Sequence, residues 1–172
     1  LLNKWMLSGS VLTKNVVAAK GPFVDAITNP AVKVAKAGTV TWANIIALET
    51  AVQKKHMPVT GTSGFVCSTS MLAELRTTLK SANVAGYIAE SVGKGTWEID
   101  GYPVFVSEDV DDNTIEFGVF EYDLLGQFGT VRMIIDPYTD AKKNITRFVF
   151  HTRWDNVVLR PEAFAALVRA TV

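Results

Sequence analysis

The chain is poor in the residues that most site chemistry needs. Among its 172 residues there is one cysteine, Cys67, and there are two histidines, His56 and His151. One cysteine excludes an internal disulfide and the multi-cysteine zinc sites, and its plain reading is a reducing compartment. Cys67 lies in "GFVCS" and reads as a buried strand residue, not a nucleophile. Excess charge is lacking too. Lysine and arginine total 17, aspartate and glutamate total 17, and the formal net charge is zero. That withholds a chain-wide electrostatic footprint for nucleic acid and leaves room only for a local patch. No apolar run approaches the ~18–20 residues that cross a bilayer, and no signal peptide is visible. The sequence opens on Leu1 and not on methionine, and "LLNKWML" spaces Leu1, Trp5 and Met6 like the end of an amphipathic helix. The expectation is a fragment of a longer protein.

What is present is an ordinary globular composition, 48% apolar and 20% charged, in a chain long enough to bury a core without staples. Residues 8–40 are rich in Gly, Ser, Thr, Asn and Ala with weak periodicity, and read as loops with one or two short strands. "TWANIIALETAVQKKH" predicts a helix. Thr41 is its N-cap, Ile45, Leu48 and Val52 share its inner face, Lys54, Lys55 and His56 fill its last turn, and Pro58 stops it. After the "GFVCS" strand, Ser70 is expected to cap a second helix with Leu72, Leu75 and Leu79 on one face. From residue 95 the pattern is β. Asp100-Gly101 between two runs of strand formers predicts a hairpin, with Pro103 beside the turn on an edge. "TIEFGVF" alternates Ile115, Phe117 and Val119 with Glu116 and Gly118. In "NITRFVFHTRW", Phe148 and Phe150 face one side and Arg147, His151 and Arg153 the other.

Motifs with a mechanism fail on inspection. "GKGT" at 93–96 lacks the Ser or Thr directly after its lysine and the upstream glycine that a phosphate loop requires. Asp109, Asp111 and Asn113 match three positions of a calcium loop. Thr114 replaces its obligatory glycine and Phe120 its closing glutamate, which leaves a solvated acidic turn. "GTSGF" is not a nucleophile elbow around Ser63. Nothing in the spacing of the two histidines favours a Ser–His–acid arrangement. Trp42, Trp97, Trp154 and nine phenylalanines are spread over separate elements, as core and interface anchors are. The reading is therefore not an enzyme, with no cofactor and no metal. The charged loop in "IIDPYTDAKKNITRFVF" joins two well-formed strands and carries no reactive group. Its charged and aromatic side chains are Asp136, Tyr138, Asp140, Lys142 and Lys143.

The order of segments over about residues 41–168 resembles the tailed-phage major capsid protein family, the Hong Kong 97-like fold. Gly101–Val106 with Ser107, Phe117-Gly118-x-Phe120, Asp136-Pro137-Tyr138-Thr139 and Arg160-Pro161-Glu162-Ala163-Phe164 carry the resemblance. It implies an α+β protein in two parts. One is an axial domain, a mixed sheet with flanking helices. The other is a peripheral domain of long antiparallel strands. The spine helix and N-terminal arm of the family are mostly missing. On this reading residues 1–40 hold the end of the spine helix and peripheral loops, 41–139 the axial domain, and 140–172 return strands to the peripheral domain. The implied function is that of a structural subunit of an icosahedral phage or prophage capsid in the virion, assembled in the bacterial host cytoplasm. The partners would be copies of itself in pentamers and hexamers, a scaffolding protein, and packaged DNA without sequence specificity. The resemblance then makes Asp136, Tyr138, Asp140, Lys142 and Lys143 candidate inter-subunit contact residues, since contact needs only shape and mixed charge. No membrane is implied, and the fragment alone is expected to be a monomer or weak oligomer. Some family members join subunits through a lysine–asparagine isopeptide bond promoted by a glutamate. Asn144 resembles the asparagine in place, His151 stands near where the glutamate would be, and the loop bearing the lysine has no counterpart. No self-cross-linking is expected. The rival readings are an encapsulin-like nanocompartment shell, a tail or connector component, and a small α+β enzyme or ligand-binding domain.

Overall fold

The structure, a computed structural model, describes residues 21–35, 38–82 and 84–170. The helical reading of Leu1–Met6 and half of the loop expected over 8–40 lie outside them. The elements in chain order are helix α1 (Val24–Thr28), strand β1 (Val32–Val34), helix α2 (Trp42–Gln53), β2 (Ser63–Cys67), helix α3 (Thr69–Thr77), β3 (Leu79–Ser81), β4 (Val84–Tyr87), β5 (Glu90–Gly93), β6 (Thr96–Ile99), β7 (Tyr102–Val106), β8 (Thr114–Val119), β9 (Asp123–Gln127), β10 (Arg132–Asp136), β11 (Arg147–His151), β12 (Trp154–Val158) and β13 (Phe164–Arg169). The architecture is α+β, as the family resemblance implies.

Seven strands form one mixed sheet in the order β1-β13-β8-β2-β7-β6-β5. β1 runs parallel to β13 and β2 to β7; the other neighbours are antiparallel. β2 and β8 lie at the centre and every residue of both is buried. Their pairing puts Phe65, Cys67, Ile115 and Phe117 on one face and Gly64, Val66, Glu116 and Gly118 on the other. Helix α2 packs on β13, β8 and β1 through Ile45, Leu48 and Val52. On the glycine face, the rings of Phe23, Phe120 and Phe164 meet edge-on at centroid separations of 5.2–6.3 Å. Gly118 admits the Phe164 ring, since a Cβ there would lie 2.3 Å from Cδ1. Glu74 of α3 ties down the far end of β13. Its two oxygens accept from Arg169 Nη2 at 2.7 and 2.8 Å, and Oε1 also accepts from the Val40 N–H at 3.3 Å.

Several local expectations change. The Thr41 hydroxyl bonds the Asn44 side chain at 2.9 Å and caps no backbone amide. Helix α2 ends at Gln53, so Lys54, Lys55 and His56 lie just past it, and His56 turns the chain at φ 60°. Helix α3 is capped by Ser68, whose Oγ accepts from the Met71 N–H at 3.2 Å, while Ser70 sits inside the first turn. α3 also stops early. The hydroxyls of Thr77 and Thr78 both donate to the Glu74 carbonyl at 2.9 Å, and Leu79 leaves the helix for β3, where it is exposed. Asp100 and Gly101 make the expected turn at φ 52° and 80°. Pro103 is not on an edge: β7 lies between β2 and β6, and Pro103 is placed opposite Glu98 beside that turn. The segment from 140 to 172 does not leave the sheet for good, because β13 returns to its interior next to β8.

Candidate functional site

Between β8 and β13 the chain leaves the sheet as a long hairpin. A 3₁₀ turn at Phe120–Tyr122 starts it, and the Leu159 N–H closes its root on the Tyr122 carbonyl at 2.8 Å. β9 pairs with β12, then β10 with β11, all antiparallel. Each pair forms a two-stranded ribbon with no third strand beside it among the described residues. The two pairs are not in one register. Phe128 N–H donates to the Arg153 carbonyl at 2.9 Å, and the next pairing is Arg132 with His151. Residues 129–131 therefore stand opposite Thr152 alone, a bulge that bends the ribbon, with Gly129 supplying the φ of 77°.

Beyond the bulge the pairing sets Met133 against Phe150 and Ile135 against Phe148. All four point to one face, and each is more than half exposed, from 51% for Met133 to 63% for Phe150. The opposite face is mixed, with Arg132, Ile134, Asp136, Arg147, Val149 and His151. The sequence showed that Phe148 and Phe150 share a side. It did not show that Met133 and Ile135 lie across from them, because that needs the register of a partner strand.

The tip is a built loop. Asp136 Oδ1 accepts from the N–H groups of Tyr138 and Thr139 at 3.0 and 3.2 Å, and Oδ2 accepts from the Thr139 hydroxyl. These bonds hold the Asp136 carboxyl below the usual aspartate range, the Thr139 hydroxyl first and the two amides next. Asp140 pairs with Arg147 at 2.5 Å, and its carbonyl receives the Lys143 N–H at 2.9 Å across a 3₁₀ turn at Ala141–Lys143. Asn144 then takes φ 54°, a left-handed conformation asparagine tolerates. Of the five loop residues singled out in the sequence, Asp136 and Asp140 are thus engaged within the loop. Tyr138, 85% exposed, and Lys142 and Lys143 face solvent.

The ionisable groups that burial perturbs lie elsewhere. Desolvation pushes the Glu116 carboxyl up to about 8. It pushes Glu49 up to about 7, with the Asp100 charge adding to it. It pushes the Cys67 thiol up to about 12, with Glu116 adding to it. None of the three lines the cavity at the ribbon bulge, the one between α1, α2 and Pro161–Ala165, or the one along α2. His56 and His151 are both exposed, on different elements. Among the described residues no three His, Cys, Asp or Glu side chains gather as metal ligands, and no helix is long and apolar enough to cross a membrane.

Comparison with known proteins agrees with this geometry. The phage capsid family matches the chain over residues 13–168. The fold is similar to the capsid of a GTA particle computed with C5 symmetry, with TM-score 0.60, 20% identity, and coverage of 98% of this chain and 60% of that one. It is similar to a chain from Gordonia phage Cozz, with TM-score 0.60, 20% identity, and coverage of 97% and 56%. It is also similar to the SrpI encapsulin of Synechococcus elongatus, with TM-score 0.59, 18% identity, and coverage of 87% and 56%. The chain thus spans about three fifths of the length of these structures. No curated protein matches its sequence.

Proposed function

The chain belongs to the phage capsid family, and from that premise we propose that it is a structural subunit of an icosahedral shell that works by repeated contact with copies of itself. The observation that carries this reading is the hairpin. A ribbon that exposes Met133, Ile135, Phe148 and Phe150 on one face, and whose edges are unpaired among the described residues, is incomplete as a free surface. A neighbouring subunit supplies what is missing. The seven-stranded sheet with its helices takes the axial role and the hairpin the peripheral one. The division then falls near residues 122 and 159, not at 139, and β13 belongs with the axial part. Copies gather as pentamers and hexamers in a virion capsid assembled in the host cytoplasm, with a scaffolding protein and enclosed DNA as further partners. The surface at the loop tip is Tyr138, Lys142 and Lys143, positioned by Asp136 and Asp140. Family membership supports a structural role.

Electron microscopy of the full-length protein, expressed with its neighbouring genes, tests the reading. Closed shells of uniform diameter are the expected result, and a protein that stays dispersed under every assembly condition sinks it. Shells filled with protein and never with nucleic acid would place it among nanocompartments. Asn144 has a conformational reason to be asparagine, so the assembled protein should run as a single monomer band on a denaturing gel; a covalent ladder would overturn that.

A further inference from the structure

Glu49 is buried on α2 along with Ile45, Leu48 and Val52, and it is the one ionisable residue of that set. It is 7% exposed, and its Oε1 has no hydrogen-bond partner. Among the described residues no lysine or arginine pairs with it. A buried carboxylate in this state is costly, and native structures usually give one a hydrogen bond or a counter-charge. Its surroundings raise the cost. Asp100 turns the chain between β6 and β7 at φ 52°, is exposed, and has no ion-pair partner among the described residues either. Its charge adds to burial in pushing the Glu49 carboxyl up. Tyr102 follows on β7, with its ring against Phe65 and Phe117 at centroid separations of 6.4 and 5.5 Å. Burial first, then the charges of Glu49 and of Asp100, push its phenol above the usual range. Two carboxylates and a phenol thus converge between α2 and the β6–β7 turn, and no described cationic side chain answers them. The acidic turn from Glu108 to Asp112 differs. Its Glu108 and Asp111 accept from the Thr69 and Asn113 amides, and none of its carboxylates is buried.

We propose that Glu49 and Asp100 hold a calcium ion between helix α2 and the β6–β7 turn, with the Tyr102 phenol at the rim and water completing the shell. Calcium suits this donor set. It takes carboxylates through one oxygen or two, tolerates irregular geometry and keeps waters, whereas magnesium demands a near-ideal octahedron. Zinc would want histidine or cysteine, and His56, His151 and Cys67 lie on other elements. The ion relieves two unbalanced charges at once and fastens the helix to the turn. With only two carboxylates its affinity falls at the weak end of protein calcium sites, on the order of a millimolar. The site lies within one subunit and does not depend on the shell reading.

The test is thermal melting of the unassembled full-length protein at pH 8, titrated with calcium chloride and, in parallel, with sodium chloride at equal ionic strength. The midpoint should climb and saturate with calcium alone, half-maximally near a concentration of about 1 mM. Glu49→Gln and Asp100→Asn each remove a charge and keep the side chain's size, and asparagine before glycine holds the same turn. Each should raise the half-saturating calcium concentration tenfold or more. Asp100 is exposed, so its variant keeps the test decisive if Glu49→Gln folds poorly. D109N/D112N, the same charge change in the acidic turn, should move that concentration less than twofold. A parent midpoint that ignores calcium, or follows sodium equally, overturns the proposal. So does a response lost in D109N/D112N and kept in Glu49→Gln and Asp100→Asn, which would put the ion on the acidic turn.

Discussion

Glu116 is a carboxylate whose burial is costly. It sits at mid-strand on β8 between Val66 and Ala166, 2% exposed, and its Oε2 has no hydrogen-bond partner among the described residues. Its folded-state value is about 8 against 4.5 for the free group. The folded state therefore binds more protons than the unfolded state between these limits. Stability from this group is fully present below pH 4.5 and is lost as pH rises through 8. Glu116→Gln removes that titration. Denaturant melts at pH 5 and pH 8 should show the variant losing on the order of 3 kcal/mol less than the parent protein between the two. Identical slopes would mean that Glu116 has a cationic partner. Gly118 poses the opposite problem, absence of room. A Cβ would meet the Phe164 ring at 2.3 and 2.8 Å, inside a close-packed aromatic cluster. Gly118→Ala should cost about 2–3 kcal/mol, read from the urea midpoint. A loss under about 0.5 kcal/mol would show that the ring moves aside freely.

At the scale of elements, legibility in the sequence followed the range of the forces involved. α2, β2, β8 and the Asp100-Gly101 hairpin are set by periodicity and turn chemistry within a few residues, and each was readable. Limits of helices were not, because the winning contact was a competition between neighbours: Ser68 over Ser70 at the start of α3, and the Thr77–Thr78 hydroxyls over Leu79 at its end. The pairing of β1 with β13 joins residues 32–34 to 167–169, and no local pattern signals it. The candidate contact loop was legible as a charged loop between strands, but which of its charges are spent internally was not. The apolar ribbon face was half legible, through Phe148 and Phe150 alone. That face gives a sharp prediction, since its side chains are more than half exposed and contribute little to the fold of one chain. Phe148→Ser with Phe150→Ser should shift the melting midpoint of the unassembled protein by less than about 1 kcal/mol in stability terms. The same pair should abolish shells in electron micrographs. Melting lowered by several kcal/mol would place the face in the chain's own core instead.

The whole molecule is a sheet-based body with a lever. From Asp123 to Asp136 the outgoing strand can reach at most roughly 40 Å at the rise of an extended chain. On the proposed function, a subunit of this kind would meet several neighbours through different surfaces, and heterologous contacts close into rings when the rotation fits. Each such contact need only be modest, because every copy would repeat it. On the proposed contact role of the loop, the tip is the place to weaken one interface without touching the fold. Tyr138, Lys142 and Lys143 are exposed, while the loop is held in shape by Asp136 and the Asp140–Arg147 pair. Replacing the three by alanine should leave the melting curve of the free protein unchanged. Weakening the association of each subunit by ~1.4 kcal/mol raises the concentration at which shells appear about tenfold. Light scattering against protein concentration reads that threshold. An unmoved threshold with normal shells would show that the tip touches nothing, and the assembly interfaces would then have to lie on the apolar ribbon face and the body.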